Sequence, residues 1–408
     1  MLKKIPVTQL TVGMFVDGFD ESWLKHPFWR NRFLIDDPST LREIHESGVQ
    51  HCWIDISKGQ DVPSQKPGQS AASASPNVHQ PPAPRRERTP LSEELQEAAR
   101  LRARSAETMR RLFSEVRLGN AIEPAVCVSL VDEVVESIDR HPDALLSLAR
   151  LKNADEYTYM HSVAVCALMV ALGRQLGLDD TQCREAGMAG MLHDLGKAAM
   201  PQDVLNKPGK LTPEEFEIIK QHPLRGYEML LNVTSVTDGV KDVCLHHHER
   251  WDGTGYPDKL AAERISLLAR MGAVCDVYDA VTSDRPYKAG WDPAHALSQM
   301  ATWKGHFDTT VFQSFVKSVG IYPTGSLVRM RSGRLAVVLE QNPSALTKPR
   351  VKLFFSTKAG LPMEHKVLDL AAAHVMDQIE AREPPENWNF PYLTELWDGA
   401  AALQQAQG

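Results

Sequence analysis

Histidines are concentrated in the middle of this chain. Fifteen are present, and six of them fall within one segment: His161, His193, His222, His246, His247 and His248. A single buried histidine in a helical domain usually belongs to the core. Six in one segment, one of them followed directly by an aspartate, indicate metal ligands, because imidazole and carboxylate groups together suit first-row transition metal ions.

The pair His193-Asp194 follows an apolar stretch. A helix predicted over residues 181–197 carries an apolar stripe that leads directly to this pair. The stripe consists of Ala186, Ala189, Met191 and Leu192. Burial of an uncompensated carboxylate is costly, so Asp194 needs a strong partner, and a metal ion is the obvious one. Lys197 shares the helical face of His193. There it either meets a phosphoryl oxygen or is a surface lysine.

Further histidines fall at predicted helix ends. His222 is expected to close a helix that begins with a capping box at residues 212–215, and Pro223 prevents that helix from simply continuing. Residues 246–248 end another helix. Adjacent residues on a helix point about 100° apart, so two consecutive histidines reach one metal ion only near a bent end. The glycines of residues 252–257 supply such a bend.

A segment with carboxylates and cations lies downstream. Asp276 and Asp279 are three residues apart and share a helical face. Arg285 and Lys288 are also three residues apart, and Pro286 stiffens the connection between them. Two cations fixed beside a metal-binding carboxylate make a plausible clamp for a phosphodiester, in which the arginine gives the bidentate contact.

The elements that position these residues are mainly α-helical. Apolar residues keep helical spacing over residues 93–320, which predicts an all-helical catalytic domain with its motifs within residues 145–320. Residues 1–57 predict a small β-rich domain with a helix over 38–48. Residues 58–92, rich in Pro, Ser, Ala and Gln, predict a flexible linker. Residues 321–408 predict a short β-hairpin extension around residues 332–333, a strand over 350–355 and an amphipathic or frayed tail from residue 366.

The composition restricts the class of function. The formal net charge of −7 argues against binding a nucleic-acid polymer, although a small phosphorylated ligand needs only a few placed cations. Six scattered cysteines indicate reduced core thiols. The first residues lack an apolar signal core, and no run of about 18 apolar residues occurs. We therefore expect a cytoplasmic protein without a membrane segment.

Together these motifs closely resemble the HD-GYP family, the branch of the HD phosphohydrolases associated with cyclic di-GMP degradation. The resemblance covers residues 145–320 in the family's order. It is carried by His193-Asp194-Leu195-Gly196-Lys197 and by residues 206–212, 247–257, 276–280 and 284–287. Residues 1–57 resemble a small uncharacterised domain often placed ahead of HD-GYP domains.

The resemblance implies two metal ions that share one carboxylate. One ion would be bound by His161, His193, Asp194 and Asp276. The other would be bound by Asp194, His222, His247 and His248, so that Asp194 forms the bridge. His246 lies outside the motif. The implied catalytic residues are Asp194 and Lys197, and the implied substrate-binding residues are Lys197, Asp279, Arg285, Tyr287 and Lys288.

One departure from the family bears on the number of metals. Some members bind a third ion through a glutamate four residues before the position of His161, and that position here is Tyr157. Glu156 lies five residues from His161, about 140° round the helix, and does not substitute easily. We therefore predict a dinuclear site. Iron or manganese suits the mixed ligands best, and nickel, cobalt and zinc remain open.

The activity implied is hydrolysis of cyclic di-GMP to linear pGpG, and on to GMP in a second round, which lowers the level of the second messenger. Two metal ions about 3.5–4 Å apart can trap a bridging hydroxide for in-line attack on phosphorus. The alternatives are a weakly catalytic sensor of cyclic dinucleotides that acts through protein partners, and an HD phosphohydrolase for another nucleotide. The resemblance also leaves open contact with a separate diguanylate cyclase through Gly255-Tyr256-Pro257, and a homodimer.

Overall fold

The computed structural model divides into two compact units, Met1–Arg86 and Glu87–Gly408. It describes residues 2–19, 33–35, 37, 41–42, 44–45, 51–56, 58–60, 90–120, 124–149, 157–207, 209–283 and 290–397. Most of the predicted linker lies outside these ranges.

The first unit contains the β-rich domain that the sequence predicts. Its strands are β1 (Leu2–Pro6), β2 (Phe15–Phe19), β3 (Phe33–Leu34) and β4 (His51–Asp55). They form one antiparallel sheet in the order β1-β4-β2-β3. Gly13 makes the turn before β2 with a φ of 96°, a conformation that glycine adopts without steric cost. Apolar residues from several of the described segments form its core, among them Ile5, Met14, Val16, Ile35, Ile44 and Ile54.

The second unit begins with twelve helices among the described residues. They are α1 (Leu91–Arg117), α2 (Ala125–Arg140), α3 (Pro142–Ala149), α4 (Tyr157–Leu176), α5 (Asp180–Leu192), α6 (Gln202–Leu205), α7 (Pro213–Ile219), α8 (His222–Leu230), α9 (Asp238–His246), α10 (Leu267–Thr282), α11 (Pro293–Met300) and α12 (Thr309–Val319). The fold class is therefore mainly α, as predicted.

Helix α4 lies at the centre of this helical region. It packs against α1, α3, α5, α10 and α12. Its residues from Met160 to Leu172 are almost all buried, because the helix is apolar on every side and is covered by neighbours on every side. By length and composition the segment Tyr159–Leu176 could cross a membrane, but 78% of it is buried inside the protein, as in the core helix of a soluble protein.

Local capping explains several helix starts. Asp179 and Gln182 form a capping box at the start of α5. Thr212 and Glu215 form the predicted one at the start of α7, where Pro213 occupies the first turn. Each box satisfies backbone N–H groups that have no acceptor within the helix.

Two predicted helix ends were wrong. α5 ends at Leu192, and after the turn at His193-Asp194 a short 3-10 helix covers Leu195–Ala199, so Lys197 does not continue α5. His222 begins α8 instead of closing the helix before it. The physical reason is that a proline fits the first turn of a helix, where its missing N–H has no partner to lose, so Pro223 permits a helix start.

A second sheet follows the helices. It contains β5 (Leu327–Met330), β6 (Arg334–Glu340), β7 (Arg350–Ser356), β8 (Leu361–Asp369) and β9 (Ile379–Arg382), in the order β8-β7-β6-β5-β9. The predicted hairpin is present as β5 and β6, with Gly333 in its turn. The tail predicted from residue 366 was wrong, because these residues include the end of β8 and all of β9.

This sheet is attached to the helices by polar contacts. His141 lies 3.3 Å from a carboxylate oxygen of Glu340, and the backbone N–H of Gln341 donates to Asp143 at 2.8 Å. His141, between α2 and α3, and Asp143, in α3, are both buried. The sheet and the helical region therefore share an ordered junction.

Candidate metal centre

Five separate stretches of chain supply the predicted metal ligands, and the helices bring them together. His161 lies in the first turns of α4, and His193-Asp194 follow the end of α5. His222 starts α8, His247-His248 follow α9, and Asp276 lies within α10. All are at least nine-tenths buried except His248, whose side chain is 23% exposed. A buried cluster of this polarity requires compensation by opposite charge or hydrogen bonds.

A pair of glycines permits the approach of α8 to the Asp194 turn. A Cβ on Gly196 would lie 1.9 Å from the carbonyl oxygen of His222, and 2.5 Å from the backbone nitrogen of Gly226. A Cβ on Gly226 would in turn lie 2.5 Å from Sγ of Cys244. Only glycine fits at these positions, and the contact sets the position of His222 relative to Asp194.

The carboxylate of Asp194 lies between two groups of histidines. Its Oδ2 is 3.3 Å from Nε2 of His161 and 3.4 Å from Nε2 of His193. Its Oδ1 is 3.2 Å from Nε2 of His222 and 3.8 Å from Nε2 of His247. One carboxylate thus presents a separate oxygen to each group.

Asp276 completes the first group. Its Oδ1 lies 3.0 Å from Nε2 of His161 and 3.8 Å from Nε2 of His193, and its Oδ2 lies 3.7 Å from Nδ1 of His248. Among the described residues, three sets of side chains hold ligand atoms within 4.8 Å of one another. They are His161, His193 and Asp276; His222, His247 and His248; and His193, Asp194 and His247. The seven predicted ligands and no others make up these sets.

Hydrogen bonds behind the rings orient four of the histidines. Nδ1 of His161 donates to Asp279 at 2.6 Å, and Nδ1 of His193 donates to the carbonyl oxygen of Gly190 at 2.8 Å. Nδ1 of His222 donates to Ile219 at 2.7 Å, and Nδ1 of His247 donates to Val243 at 3.0 Å. With a proton held on Nδ1, each ring presents Nε2 to the cluster, and in the neutral ring this atom carries the lone pair. This arrangement is typical of metal-binding histidines.

The charges of the cluster favour a cation. Burial opposes ionisation of Asp194, but the charges of Lys197 and His193 outweigh it and hold the pKa of Asp194 well below its ordinary value. Burial and neighbouring histidines hold the pKa of His247 well below its ordinary value, and burial lowers the pKa of His248 to about 3. Metal ions need ligands in these forms, an ionised carboxylate and neutral imidazoles.

His161 has the opposite tendency. Burial disfavours its charged form, yet hydrogen bonds to Asp194, Asp276 and Asp279 outweigh burial and raise its pKa well above the ordinary value. The buried Nε2 of His193 and Oδ1 of Asp194 have no hydrogen-bond partner in the part of the chain that the structure describes. Three carboxylates that attract positive charge, and two unpaired polar atoms beside them, fit divalent metal ions at this cluster.

Lys197 and Asp279 lie beside the cluster in different ways. Nζ of Lys197 is 2.5 Å from Oδ2 of Asp194, and the lysine side chain is 22% exposed. Asp279 is buried and accepts the Nδ1 proton of His161. Its predicted role in substrate binding remains a prediction, and the geometry places it behind His161, as an acceptor that orients the ring.

The remaining predicted residues divide into two sets. Arg285, Tyr287 and Lys288 lie outside the described residues, so their predicted contacts with substrate remain predictions. His246 lies outside the three ligand sets, as expected from the sequence. Its ring bridges Asp242 at 2.7 Å and Asp258 at 3.1 Å, and so connects α9 to the following loop.

Two residues of the loop after His248 were given no role at the metal site from sequence. Glu249 is buried, and its carboxylate accepts from the backbone N–H groups of Asp258 at 2.7 Å and Leu260 at 3.1 Å. The ring of Tyr256 stacks on His248 with 4.8 Å between centroids. Two sequence features could have indicated these roles. Glu249 directly follows the predicted ligand His248, and Tyr256 belongs to the Gly255-Tyr256-Pro257 motif.

Comparisons with known proteins agree with this arrangement. The sequence matches the HD domain family over residues 134–311 and a domain of unknown function, DUF3391, over residues 2–127. A cyclic di-GMP phosphodiesterase of Pseudomonas aeruginosa is 56% identical over 402 residues, which cover 98% of this chain and 97% of that protein.

Two further relatives match shorter parts of the chain. A cyclic di-GMP phosphodiesterase response regulator of Xanthomonas campestris pv. campestris is 43% identical over 39% of this chain and 43% of its own length. A 3′3′-cGAMP-specific phosphodiesterase of Vibrio cholerae is 34% identical over 37% of this chain and 29% of its own length. With its HD domain, its near-complete match to one relative and its Gly255-Tyr256-Pro257 segment, the chain belongs to the HD-GYP family of phosphodiesterases and carries a DUF3391 domain ahead of the HD domain.

Proposed function

We propose that this chain hydrolyses cyclic di-GMP at two divalent metal ions held by the histidine and aspartate cluster. The observation that carries the proposal is the placement of Asp194. Its two oxygens face two different histidine groups, at 3.3 Å from His161 and 3.2 Å from His222. A carboxylate so placed can join two ions, which is the arrangement that hydrolytic two-metal sites use.

The chain's own residues have separate tasks in this reaction. When bound, the two ions would polarise the phosphodiester and would lower the pKa of the water that supplies the nucleophile. Lys197 would donate from Nζ to a non-bridging oxygen of the scissile phosphate, where charge develops. Its position beside Asp194 supports this role. Arg285 and Lys288 would hold the phosphates, Tyr287 would also contact the dinucleotide, and Asp279 would hold His161.

Cleavage of one phosphodiester bond gives linear pGpG, and cleavage of the second gives GMP. The reaction would lower the concentration of the second messenger. We propose iron or manganese as the metal, because mixed imidazole and carboxylate ligands suit both. A count of two ions per chain is supported by the two histidine groups and by the absence of a glutamate at position 157.

We propose that the protein acts in the cytoplasm, since its six cysteines are all buried and free. The predicted contact with a diguanylate cyclase and the predicted homodimer remain predictions. Size-exclusion chromatography with light scattering, with and without a purified cyclase, measures both associations.

The test is turnover by protein loaded anaerobically with iron(II) or manganese(II). Cyclic di-GMP and 3′3′-cGAMP are supplied in parallel, and products are separated by chromatography. We expect pGpG to appear first from cyclic di-GMP. Preference for 3′3′-cGAMP would assign the chain to the substrate of its Vibrio cholerae relative. Tight binding of cyclic di-GMP without turnover by either metal form would replace the enzyme with a sensor.

The variant Asp194→Ala tests the bridge. We expect it to lose activity and metal. A matched control is Asp132→Ala, which removes a carboxylate that is 43% exposed and pairs with Arg184 on the surface. The control should retain full activity and both ions. Full activity in Asp194→Ala would contradict the proposed site.

A further inference from the structure

His248 differs from the other four histidines of the cluster in how it is held. Each of those presents Nε2 to the cluster and donates its Nδ1 proton to an oxygen behind it. His248 presents Nδ1 instead, at 3.7 Å from Asp276. Within the described ranges no hydrogen bond to either ring nitrogen of His248 is present. Hydrogen bonding therefore does not fix the orientation of this ring.

Ring stacking replaces the missing hydrogen bond. The ring of Tyr256 lies 4.8 Å from the ring of His248 at an interplanar angle of 27°, a stacked arrangement. The other neighbours of the ring are His247 at 4.2 Å and His222 at 5.0 Å, which meet it at 45° and 86°. They belong to the same ligand set. Tyr256 is thus the aromatic neighbour from outside that set that can restrict rotation of the His248 ring.

The loop that carries Tyr256 is fastened to the residues next to His248. The backbone N–H of Tyr256 donates to the carbonyl oxygen of His248 at 3.3 Å. Glu249 is 2% exposed and accepts backbone N–H groups from beyond Tyr256, at Asp258 and Leu260. A carboxylate so buried is tolerated because both of its oxygens accept hydrogen bonds. Gly255 allows the return of the chain, because a Cβ there would lie 2.4 Å from the backbone nitrogen of Arg250.

A cation covers the same tyrosine. Nζ of Lys220 lies 5.6 Å from the ring centroid of Tyr256, and it also pairs with Glu217 at 2.7 Å. Cations within about 6 Å of an aromatic ring are attracted to its face. Lys220 precedes His222 by two residues, so the start of α8 and the loop after α9 meet at this ring. The position of Tyr256 is therefore constrained from several sides.

We propose that Tyr256 is a positioning residue for the metal ligand His248, and that Glu249 holds the loop that places it. The stack keeps the ring of His248 in place beside His222 and His247, with which it forms one ligand set. This inference rests on the proposed function in that it takes His222, His247 and His248 as ligands of one ion. It assigns the tyrosine of the Gly255-Tyr256-Pro257 segment a role inside the site.

Loss of the stack should weaken the binding of one ion and leave the binding of the other unchanged. Residues that orient a metal ligand typically change metal affinity 10–100-fold when they are replaced. Among the described residues, the ring of Tyr256 contacts the ring of His248 and makes no ring contact with His161 or His193. The affinity of the protein for the ion held by the first group, with His161 and His193, should therefore stay unchanged.

The experiment measures the metal affinity of full-length Tyr256→Leu, Tyr256→Phe and wild-type protein by competition of manganese(II) with a chelator. We expect Tyr256→Leu to bind one of its two ions 10–100-fold more weakly, and Tyr256→Phe, which retains the stack, to match the wild type. Trp53→Leu is the matched control, because it also removes an aromatic ring, and Trp53 is 38% exposed on β4 of the first unit. Wild-type affinity for both ions in Tyr256→Leu would overturn the proposal. Equal loss in both Tyr256 variants would also overturn it, since the hydroxyl and not the ring would then be responsible.

Kinetics separate this inference from the proposed function. At limiting manganese we expect a lower kcat for Tyr256→Leu, and excess manganese should restore kcat while KM for cyclic di-GMP stays near the wild-type value. A loss of kcat that excess metal does not restore would contradict positioning. If wild-type protein binds two ions and turns over no dinucleotide, the proposed function fails, and the affinity comparison still decides the role of Tyr256.

Glu249→Gln provides a second variant. The amide retains one acceptor oxygen and places an NH₂ group where the second acceptor stood, so one of the two backbone N–H groups loses its partner. We expect weaker binding of the same ion as in Tyr256→Leu, by a smaller factor. Weaker binding of the other ion would contradict the role assigned to Glu249.

Discussion

The backbone of Gly196 lies against the backbone of His222, so closely that a Cβ on the glycine would come within 1.9 Å of the histidine's carbonyl oxygen. This contact fixes the distance between the Asp194 turn and the start of α8. It joins the two histidine groups without using a side chain. Any side chain at position 196 must separate them.

We predict that Gly196→Ala destabilises the protein and weakens metal binding. Forced overpacking typically costs about 1–3 kcal/mol, and here the clash is with backbone, which cannot rotate away. Thermal unfolding and metal titration measure both effects. Gly173→Ala is the control, because its Cβ would meet only side-chain atoms, the nearest at 3.2 Å. Unchanged metal affinity in Gly196→Ala would contradict the role of the contact.

Replacement of Asp279 should act on His161 and not on substrate. Asp279→Ala removes the acceptor at 2.6 Å from Nδ1, so the His161 ring loses its orientation. We expect the affinity of Asp279→Ala for one ion to fall about 10–100-fold. Asp279→Asn keeps an acceptor oxygen, so its affinity for that ion should fall less. Metal competition and KM are measured together. A raised KM with unchanged metal affinity would instead support the predicted role of Asp279 in substrate binding.

Lys197 should matter for the chemical step. With saturating metal, Lys197→Met is expected to lower kcat about 100-fold, which is the usual effect of removing one donor to developing charge. Both ions should remain bound, because Lys197 supplies no ligand. Single-turnover rates and metal content of the purified variant check this prediction. Loss of metal with a normal rate after reloading would show that Lys197 serves Asp194 and not the phosphate.

The junction between the sheet and the helices should depend on pH. The hydrogen bond with His141 is the main cause that holds the pKa of Glu340 below its ordinary value of 4.5. A carboxylate with a lowered pKa in the folded state stabilises the fold above its unfolded pKa, and this stabilisation disappears as the pH falls through the folded pKa. Glu340→Gln should therefore lower Tm at pH 7 by a few degrees and have progressively less effect below about pH 4.5. A Tm difference that persists at pH 3 would contradict this reasoning.

Removal of metal should destabilise the whole helical region. A ligand present at 100 times its Kd stabilises the state that binds it by about 2.7 kcal/mol. Treatment with a chelator should therefore lower Tm, and addition of manganese(II) should restore it. In Asp194→Ala the chelator should have little effect. An equal shift in that variant would locate the responsible ion elsewhere.

The resemblance to the HD-GYP family made the ligand set predictable from sequence, and residue chemistry supported a metal site. Histidines and aspartates have few reasons to be buried together, so His193-Asp194 and residues 247–248 indicate a metal site before any fold is known. The structure brings together all seven predicted ligands. Their assignment to particular ions remains a proposal.

Features that depend on tertiary contacts were predicted less well. Strand β8 was missed because its residues are nearly all exposed, so it lacks the alternation that indicates a half-buried strand, and its pairing with β7 defines it. Glu249 was missed because a carboxylate in a loop gives no periodic signal. His222 begins a helix because Pro223 fits into the first turn of that helix. Sequence spacing alone does not decide whether a proline ends one helix or begins the next.

The distance along the chain between the first and last ligands has a consequence for unfolding. His161 and Asp276 lie 3.0 Å apart in space although on the order of 100 residues separate them in sequence. In polymer terms, an ion bound to both is a reversible cross-link that closes a very large loop. A covalent cross-link of that span removes about 4–5 kcal/mol of chain entropy from the unfolded state. If the unfolded chain kept its ions, the metal centre would act on the fold as a long-range disulfide does, in a protein whose cysteines are all free.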